Sequence, residues 1–586
     1  MAVTESTEPT SGEIILRESD REDLIVARLD AERKLLFERA GLSVRGPAHF
    51  RRPQEHKFTK AQRPHTTILF GGFTIRQDSL VKAAIEGLGY NVETIPTPVK
   101  ADFQAGKEYG NNGQCNPTYF TVGALVNYLR DLRDNEGLSA KEIKKKYVYV
   151  TAGACGPCRF GMYEAEYRMA LRNSGFDGFR VLLFQQQGGM TQSDENAGLK
   201  LNIDFAIQLL NGVVIGDLLN ELAYQIRPYE VEEGQVDRVM EQVMVRLRKR
   251  LRSMPKTSPP STFTNRVLAR LLPMAGEPYQ VEKVVAHLRS NYYISVLAEC
   301  KELIEREVHV DFTRPKPICK VTGEFWAQTT EGDGNYHMFR FMESQGAEVL
   351  IEPVTTWLNY MLAQERSKLI DQEGLDATPG LRGWLASEFA YRRKRFRLAV
   401  GSALLNREYD RIRRTLGGTT HAQVCQLELQ RMGDPYYSRK SDGGEGHLEV
   451  AKNIYYSNKN LAHMVMSLKP FGCMPSSQSD GAQAAVTSHF SHMIYIPIET
   501  SGEGDVNAHS RAQMALGEAK IRCKEEFKTC VAETGYSIEQ IRAYCNEHPE
   551  TQNPFLHIPG REGVIGRAAN FVGYIAEKMK RDGWEG

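Results

Sequence analysis

The sequence predicts an α/β protein built from two parallel-sheet lobes joined and decorated by additional helical segments. Three observations carry that prediction. Short apolar runs alternate with helical patterns between Thr66 and Gln185, and again between Lys316 and Glu499; such alternation marks βαβ units and a parallel sheet. The chain has 586 residues, room for several domains at about 100–200 residues each. Its composition, 41% hydrophobic and 25% charged, is globular rather than disordered or fibrous.

Residues 1–60 read as a peripheral segment: a polar tail, a charged helix over about 21–40, and a basic, proline-containing linker. A first α/β domain follows over 61–234. TTILFGGF is a strand, SLVKAAIEGLG a helix closing on glycine, YNVETIP a strand and YFTVGALVNYLRDL a helix. KYVYVTAG (strand), MYEAEYRMALRNSG (helix) and FRVLLFQ (strand) complete it. Residues 235–310 form a helical connector, broken by SMPKTSPPSTF. The second α/β domain, 311–534, opens on the strand KPICKVTGEF, with a helix near YHMFRFMESQG and the strand AEVLIEP. Long helical patterns fill about 355–415. Beyond a glycine-rich loop at 443–446 come a helix, the strand MVMSLKPFG, a helix from about Ser479, the strand HMIYIPIE and a long final helix. Residues 535–586 are a C-terminal helical extension.

Charge narrows the function classes. Lys and Arg total 74 against 73 Asp and Glu, a net +1, which argues against a chain built mainly for nucleic acid or an anionic membrane. No apolar run approaches the roughly 18–20 residues that span a bilayer, and the polar, acidic N-terminus shows no secretory pattern. A cytoplasmic protein is expected. Ten cysteines are too few for a disulfide framework in a reducing compartment. Cys300, Cys523, Cys530 and Cys545 lie in helical stretches and read as packing thiols.

One local pattern recurs among the rest. Gln114-Cys115-Asn116-Pro117, Ala154-Cys155-Gly156-Pro157-Cys158 and Gly472-Cys473-Met474-Pro475 each set a cysteine two residues before a proline, at a loop-to-helix junction. Proline suits a first helical turn. The free N–H groups and positive dipole end there favour an anion such as a thiolate, so a lowered thiol pKa is expected. Loops at the carboxyl ends of parallel strands share one sheet edge, so two facing lobes could bring Cys115, Cys155 and Cys158 to Cys473. Reduced thiols in turns, a thioredoxin-type Cys-Gly-Pro-Cys dithiol and a metal site all fit this pattern. The dithiol reading lacks the usual aromatic residue at Ala154 and leaves Cys115 and Cys473 unused. Four thiolates suit zinc or an iron–sulfur cluster, and thiolates so scattered in sequence favour a cluster held between domains.

The segments YVTAGACGPCRFGMYEAEYRMAL, QCNP and LKPFGCMPSSQSD resemble the 2-hydroxyacyl-CoA dehydratase and double-cubane-cluster superfamily, in particular its acyl-CoA dehydratase activase-related branch. The likeness runs from about Thr66 to Arg511 and includes VTGEF, GGEGH and PIETSGEGDVNAHSR. It implies that the two lobes are truncated, doubly wound (Rossmann-like) parallel-sheet domains with an oxygen-sensitive iron–sulfur cluster, [4Fe–4S] or double-cubane, in the cleft between them, and with Cys115, Cys155, Cys158 and Cys473 as its thiolates. It also implies a partner: an ATP-hydrolysing activase of the actin/sugar-kinase fold that delivers low-potential electrons. Cys319 and Cys425 match no motif and are reserve ligands for a double cubane. No phosphate-binding loop for a nucleotide is recognised in this chain, so the ATPase is a separate chain.

Other residues are weighed beside these. Glu324 and Glu445 either relay protons near the cluster or complement helix dipoles. Ser476 and Ser477 cap a helix or hydrogen-bond to cluster sulfur. Arg159 offsets cluster charge or forms a surface ion pair. Gln185–Gln187 reads as a cleft-lining loop, and His421, His447 and His509 as scattered loop residues. The leading expectation is an iron–sulfur redox protein that reduces a small molecule or passes electrons on. A dehydratase-type subunit working through a ketyl radical on an acyl-CoA, and a non-enzymatic scaffold with structural zinc or a dithiol, are the alternatives. Nucleic acid and membrane are not expected partners; a homo- or hetero-oligomer is compatible with the sequence.

Overall fold

The computed structural model describes residues 18–40, 55, 57–154, 156–185, 189–190, 196–253, 263, 278–375, 380–441 and 443–584. Cys155 therefore lies outside the described residues, as do most of the SMPKTSPPSTF break and Gln186–Gly188. The chain divides into two compact units, Met1–Gln54 and Glu55–Gly586. The first contains one described helix, Glu18–Arg39, where the sequence places one.

The second unit holds both lobes, in the α/β class the alternation predicts. In the first lobe β1 (Thr67–Phe70), β2 (Asn91–Thr94), β3 (Tyr147–Gly153), β4 (Val181–Gln185) and β5 (Gly189–Met190) assemble in the order β2-β1-β3-β4-β5. The first four are parallel, with Ile68 opposite both Val92 and Val148. β5 runs antiparallel to β4, at the place where the sequence suggests only a loop. In the second lobe β6 (Ile318–Gly323), β7 (Glu348–Ile351), β8 (Met464–Pro470) and β9 (Tyr495–Thr500) form an all-parallel sheet in the order β7-β6-β8-β9. Both lobes thus repeat one order, second-first-third-fourth, which is the doubly wound arrangement with its switch point between first and third strands. Every residue of β8 is buried, as expected of a central parallel strand covered on both faces.

Helices outside the lobes share one large core. Leu218 and Leu222 of the helix Ile203–Ile226, Val243 and Leu247 of Gln235–Arg252, and Leu297 of Ile294–Glu307 pack with Ile541, Val572 and Ile575 near the C-terminus. The connector and the C-terminal extension are therefore one helical body, brought together by residues about 300 apart in sequence. Residues Ile203–Tyr229 are long and apolar enough to cross a membrane, but they are largely buried within this body and carry Asp217 and Glu221.

Asp217 joins this helix to the second lobe. Its carboxylate accepts from Val354 N at 2.7 Å, Thr355 N at 2.9 Å, Thr355 Oγ1 at 2.6 Å and Gln77 Nε2 at 2.8 Å. It fills the positive N-terminus of the helix Val354–Asp371, as the macrodipole favours.

Candidate functional site

Three of the four motif cysteines cap helices. Cys115 precedes the helix Asn116–Asp134, with Pro117 in its first turn; Cys473 precedes Met474–His489, with Pro475 in its first turn; Cys158 precedes the short 3-10 turn Arg159–Met162 that leads into Tyr163–Asn173. The sequence sets the Cys473 helix about five residues too late, because proline and two serines read as loop; in a first turn proline is at home.

The lobes meet at these loops. Asn116 N donates to Phe471 O at 2.9 Å. A Cβ on Gly472, whose φ is +76°, would stand 3.3 Å from Cys115 Cα; glycine meets both the left-handed turn and the close approach. On the other side a Cβ on Gly444 would stand 3.7 Å from Cys158 Cβ and overlap Pro475. Loops from β3, β8 and the β2–β3 connection are thereby packed against one another. Arg159 joins the two first-lobe loops by donating to Gly113 O.

The thiols have specific neighbours. Cys115 Sγ lies 3.2 Å from Thr118 Oγ1 and 3.1 Å from Tyr163 OH. Ser476 hydrogen-bonds to the Cys473 thiol, and Ser477 Oγ donates to Cys473 O at 2.8 Å. Beneath them lie two buried carboxylates. Glu324, just past β6, caps the helix Phe325–Thr329, accepting from Ala327 N at 2.9 Å. Glu445 stands at the start of Gly446–Asn458 and accepts from Phe325 N at 2.6 Å. The helix-start reading of these glutamates is what the geometry gives, and both lie near enough to the thiols to act on them electrostatically.

Electrostatics here differ from the sequence expectation. The helix-start position predicts depressed thiol pKa values, yet Cys115, Cys158 and Cys473 are all raised. Burial dominates in each case, and Glu324 or Glu445 adds to it at all three. Desolvation of the anion outweighs the helix dipole. Burial likewise raises both glutamates, each reinforced by other carboxylates nearby. The site therefore favours neutral carboxyls and neutral thiols in the absence of a cation.

A buried charge network supports the floor. Glu449, one turn beyond Glu445, accepts from Ser467 Oγ at 2.5 Å and Ser479 Oγ at 2.8 Å and pairs with Lys469 at 2.8 Å. Lys452, on the same helix, lies 3.7 Å from Glu352, which Lys320 of β6 meets at 2.6 Å. Sequence reasoning missed this set, although the spacing of 445, 449 and 452 places all three on one helix face. It also missed Glu166, which accepts from Gln114 Nε2 at 3.0 Å and Asn111 N at 3.1 Å and so fixes the Cys115 loop.

Cys319 is fully buried near the amino end of β6, between Val349 and Met464, and burial pushes its thiol up to about 12. Cys425 is exposed at the start of the helix Gln426–Gly433. His447 and His509 lie within helices rather than loops, and His421 bonds to Glu221 at 2.6 Å. Among the described residues no group of three or more His, Cys, Asp or Glu is placed to hold a single metal ion. No protein-family model matches this chain, and no curated protein matches it.

Proposed function

We propose that this protein is an iron–sulfur redox protein that takes low-potential electrons from a partner ATP-hydrolysing activase and reduces a small molecule or passes the electrons on. The packing together of the loops that carry Cys115, Cys158 and Cys473, from two lobes and each at a helix start, is the observation that supports it. The donor set suits the group: thiolates are the ligands of such clusters, and the N–H groups at helix starts stabilise their negative charge. Cys115, Cys155, Cys158 and Cys473 would hold it, and it would supply one-electron transfer. The raised thiol pKa values favour metal over a reactive dithiol, because a dithiol needs a low pKa while a bound metal deprotonates its thiols outright.

The surrounding side chains have definite work in this reading. Hydroxyls of Thr118, Tyr163 and Ser476 lie where they hydrogen-bond to sulfur, a contact that tunes potential. Burial raises the pKa of Glu324 and Glu445, which reduces the negative charge they place beside the thiols. Phe471, Met474 and Met162 are exposed beside the thiols, an apolar rim that a partner delivering electrons would cover. The test is iron and acid-labile sulfide per chain on anaerobically purified protein, with absorption spectra before and after dithionite. About four irons per chain support one cubane, and about eight a double cubane. Zinc or no metal, with a spectrum that dithionite leaves unchanged, refutes the proposal.

A further inference from the structure

The helix Leu381–Thr415 has 35 residues, about 52 Å of length. Its buried residues, Leu405, Glu408, Tyr409 and Ile412, all lie in its last third. The first half carries Leu381, Trp384, Leu385 and Phe389, which are 74%, 51%, 53% and 58% exposed. At about 100° per residue these four share one arc of roughly 140°. Leu375, just ahead of the helix, is 77% exposed. An apolar patch of this kind on a folded surface marks an interaction site.

The same segment is basic. Residues 381–397 hold Arg382, Arg392, Arg393, Lys394, Arg395 and Arg397 against Glu388 alone. That is 6 − 1 = +5 in a chain whose total is +1, and Glu388 is itself paired with Arg392 at 2.5 Å. Arg392, Arg393, Lys394 and Arg395 are consecutive and all exposed, so they encircle the helix directly behind the nine residues that carry the apolar face.

We propose that this helical arm is a peripheral anchor for an anionic lipid surface. A Trp/Leu/Phe face joined to a cluster of four to eight cations is the pattern of helices that settle in the headgroup layer. The encircling arrangement selects lipid over protein. A protein partner approaching from one side would leave half the ring in water, whereas an apolar tip about 13 Å long that dips into the headgroups brings the whole ring to the phosphates. Net charge and the search for a spanning run both predict no membrane contact, and neither registers a surface helix.

Co-sedimentation of the full chain with phosphatidylcholine vesicles, with and without phosphatidylglycerol, tests this. Binding is expected only with phosphatidylglycerol, and it weakens as salt rises. Arg393→Gln with Arg395→Gln weakens it by roughly thirtyfold. Trp384→Asp abolishes it with an unchanged circular dichroism spectrum, since the side chain supports no core. Equal sedimentation with both vesicle types, or binding that the variants leave intact, overturns the proposal. So does an oligomer in the absence of lipid that Trp384→Asp converts to monomer, because the arm is then a protein interface.

Discussion

Replacing Glu352 by glutamine removes the single carboxylate between two buried ammoniums. Its oxygen lies 2.6 Å from Lys320 Nζ and 3.7 Å from Lys452 Nζ, and all three side chains are at most 3% exposed. Burial alone would raise the Glu352 pKa, but the two lysines outweigh it and hold the carboxyl at about 2, against an ordinary 4.5. A shift of that size corresponds to about 3 kcal/mol, in line with the roughly 3–5 kcal/mol that breaking a buried pair costs. Glu352→Gln should therefore destabilise the fold by about 3–5 kcal/mol at pH 7. In the native protein this contribution is complete above pH 4.5 and is lost as pH falls from there towards 2. The variant behaves differently at high pH. Burial already lowers Lys452 to about 8, and losing Glu352 lowers it further. A lysine with a depressed folded pKa binds fewer protons native than unfolded, so stability rises with pH towards the unfolded value of 10.5. The deficit should shrink between about pH 7 and pH 10. Urea unfolding of both proteins, followed by circular dichroism at the two ends of that range, measures it. A loss under about 1 kcal/mol at pH 7, or one that is the same at both pH values, would refute this account.

Four further outcomes are expected. Gly123→Ala puts a methyl group onto Asp102 O, so it should force apart the helices Lys100–Tyr109 and Asn116–Asp134 at a cost of about 1–3 kcal/mol, seen as a lower urea midpoint. Asp217→Asn cannot accept all four of its donors and should cost about 1–3 kcal/mol, with faster hydrogen exchange at Val354–Thr356. Burial raises Glu324 to about 7 and Glu445 to about 8 from an ordinary 4.5, so they make stability fall as pH rises from 4.5 towards about 8; the double glutamine variant should show a flatter decline between about pH 5 and pH 8 in urea titrations. If the cluster proposal holds, Cys115→Ser or Cys473→Ser should lower iron per chain, while Cys319→Ser, buried in β6, should leave it unchanged by elemental analysis.

The alternation of apolar runs and helical patterns made both lobes legible, since most of the strands are short, apolar and followed by a helix; the β4–β5 pairing was not, because no helix follows β4 and the segment after it reads as a loop. Cys115 was legible as a helix cap because proline two residues on marks a first turn; Cys473 carries the same mark, but Pro475 and the two serines after it read as loop and set the helix start at Ser479 rather than Met474. The thiol pKa shift was not legible. It depends on how deeply each loop is covered, and that cover comes from the other lobe and from Glu324 and Glu445, more than a hundred residues from Cys115. The buried lysines at 320, 452 and 469 were equally hidden, because a charged residue in an apolar run reads as an interruption until its partner is located. The unity of the helical body was missed for a related reason: apolar spacing shows that a helix has a buried face but not which distant helix covers it.

Both lobes repeat one strand order, and each sends a cysteine loop from its third strand to the seam. Neither lobe alone carries all of the cysteine loops that pack at this seam. The seam is held by contacts such as Asn116 N to Phe471 O and by the Asp217 bonds to Val354 and Thr355. A force, a protease or a partner that parts the lobes would dismantle the site without touching a sulfur atom. Its integrity thus reports on the closure of the whole chain, much as the two ends of a necklace meet only at the clasp.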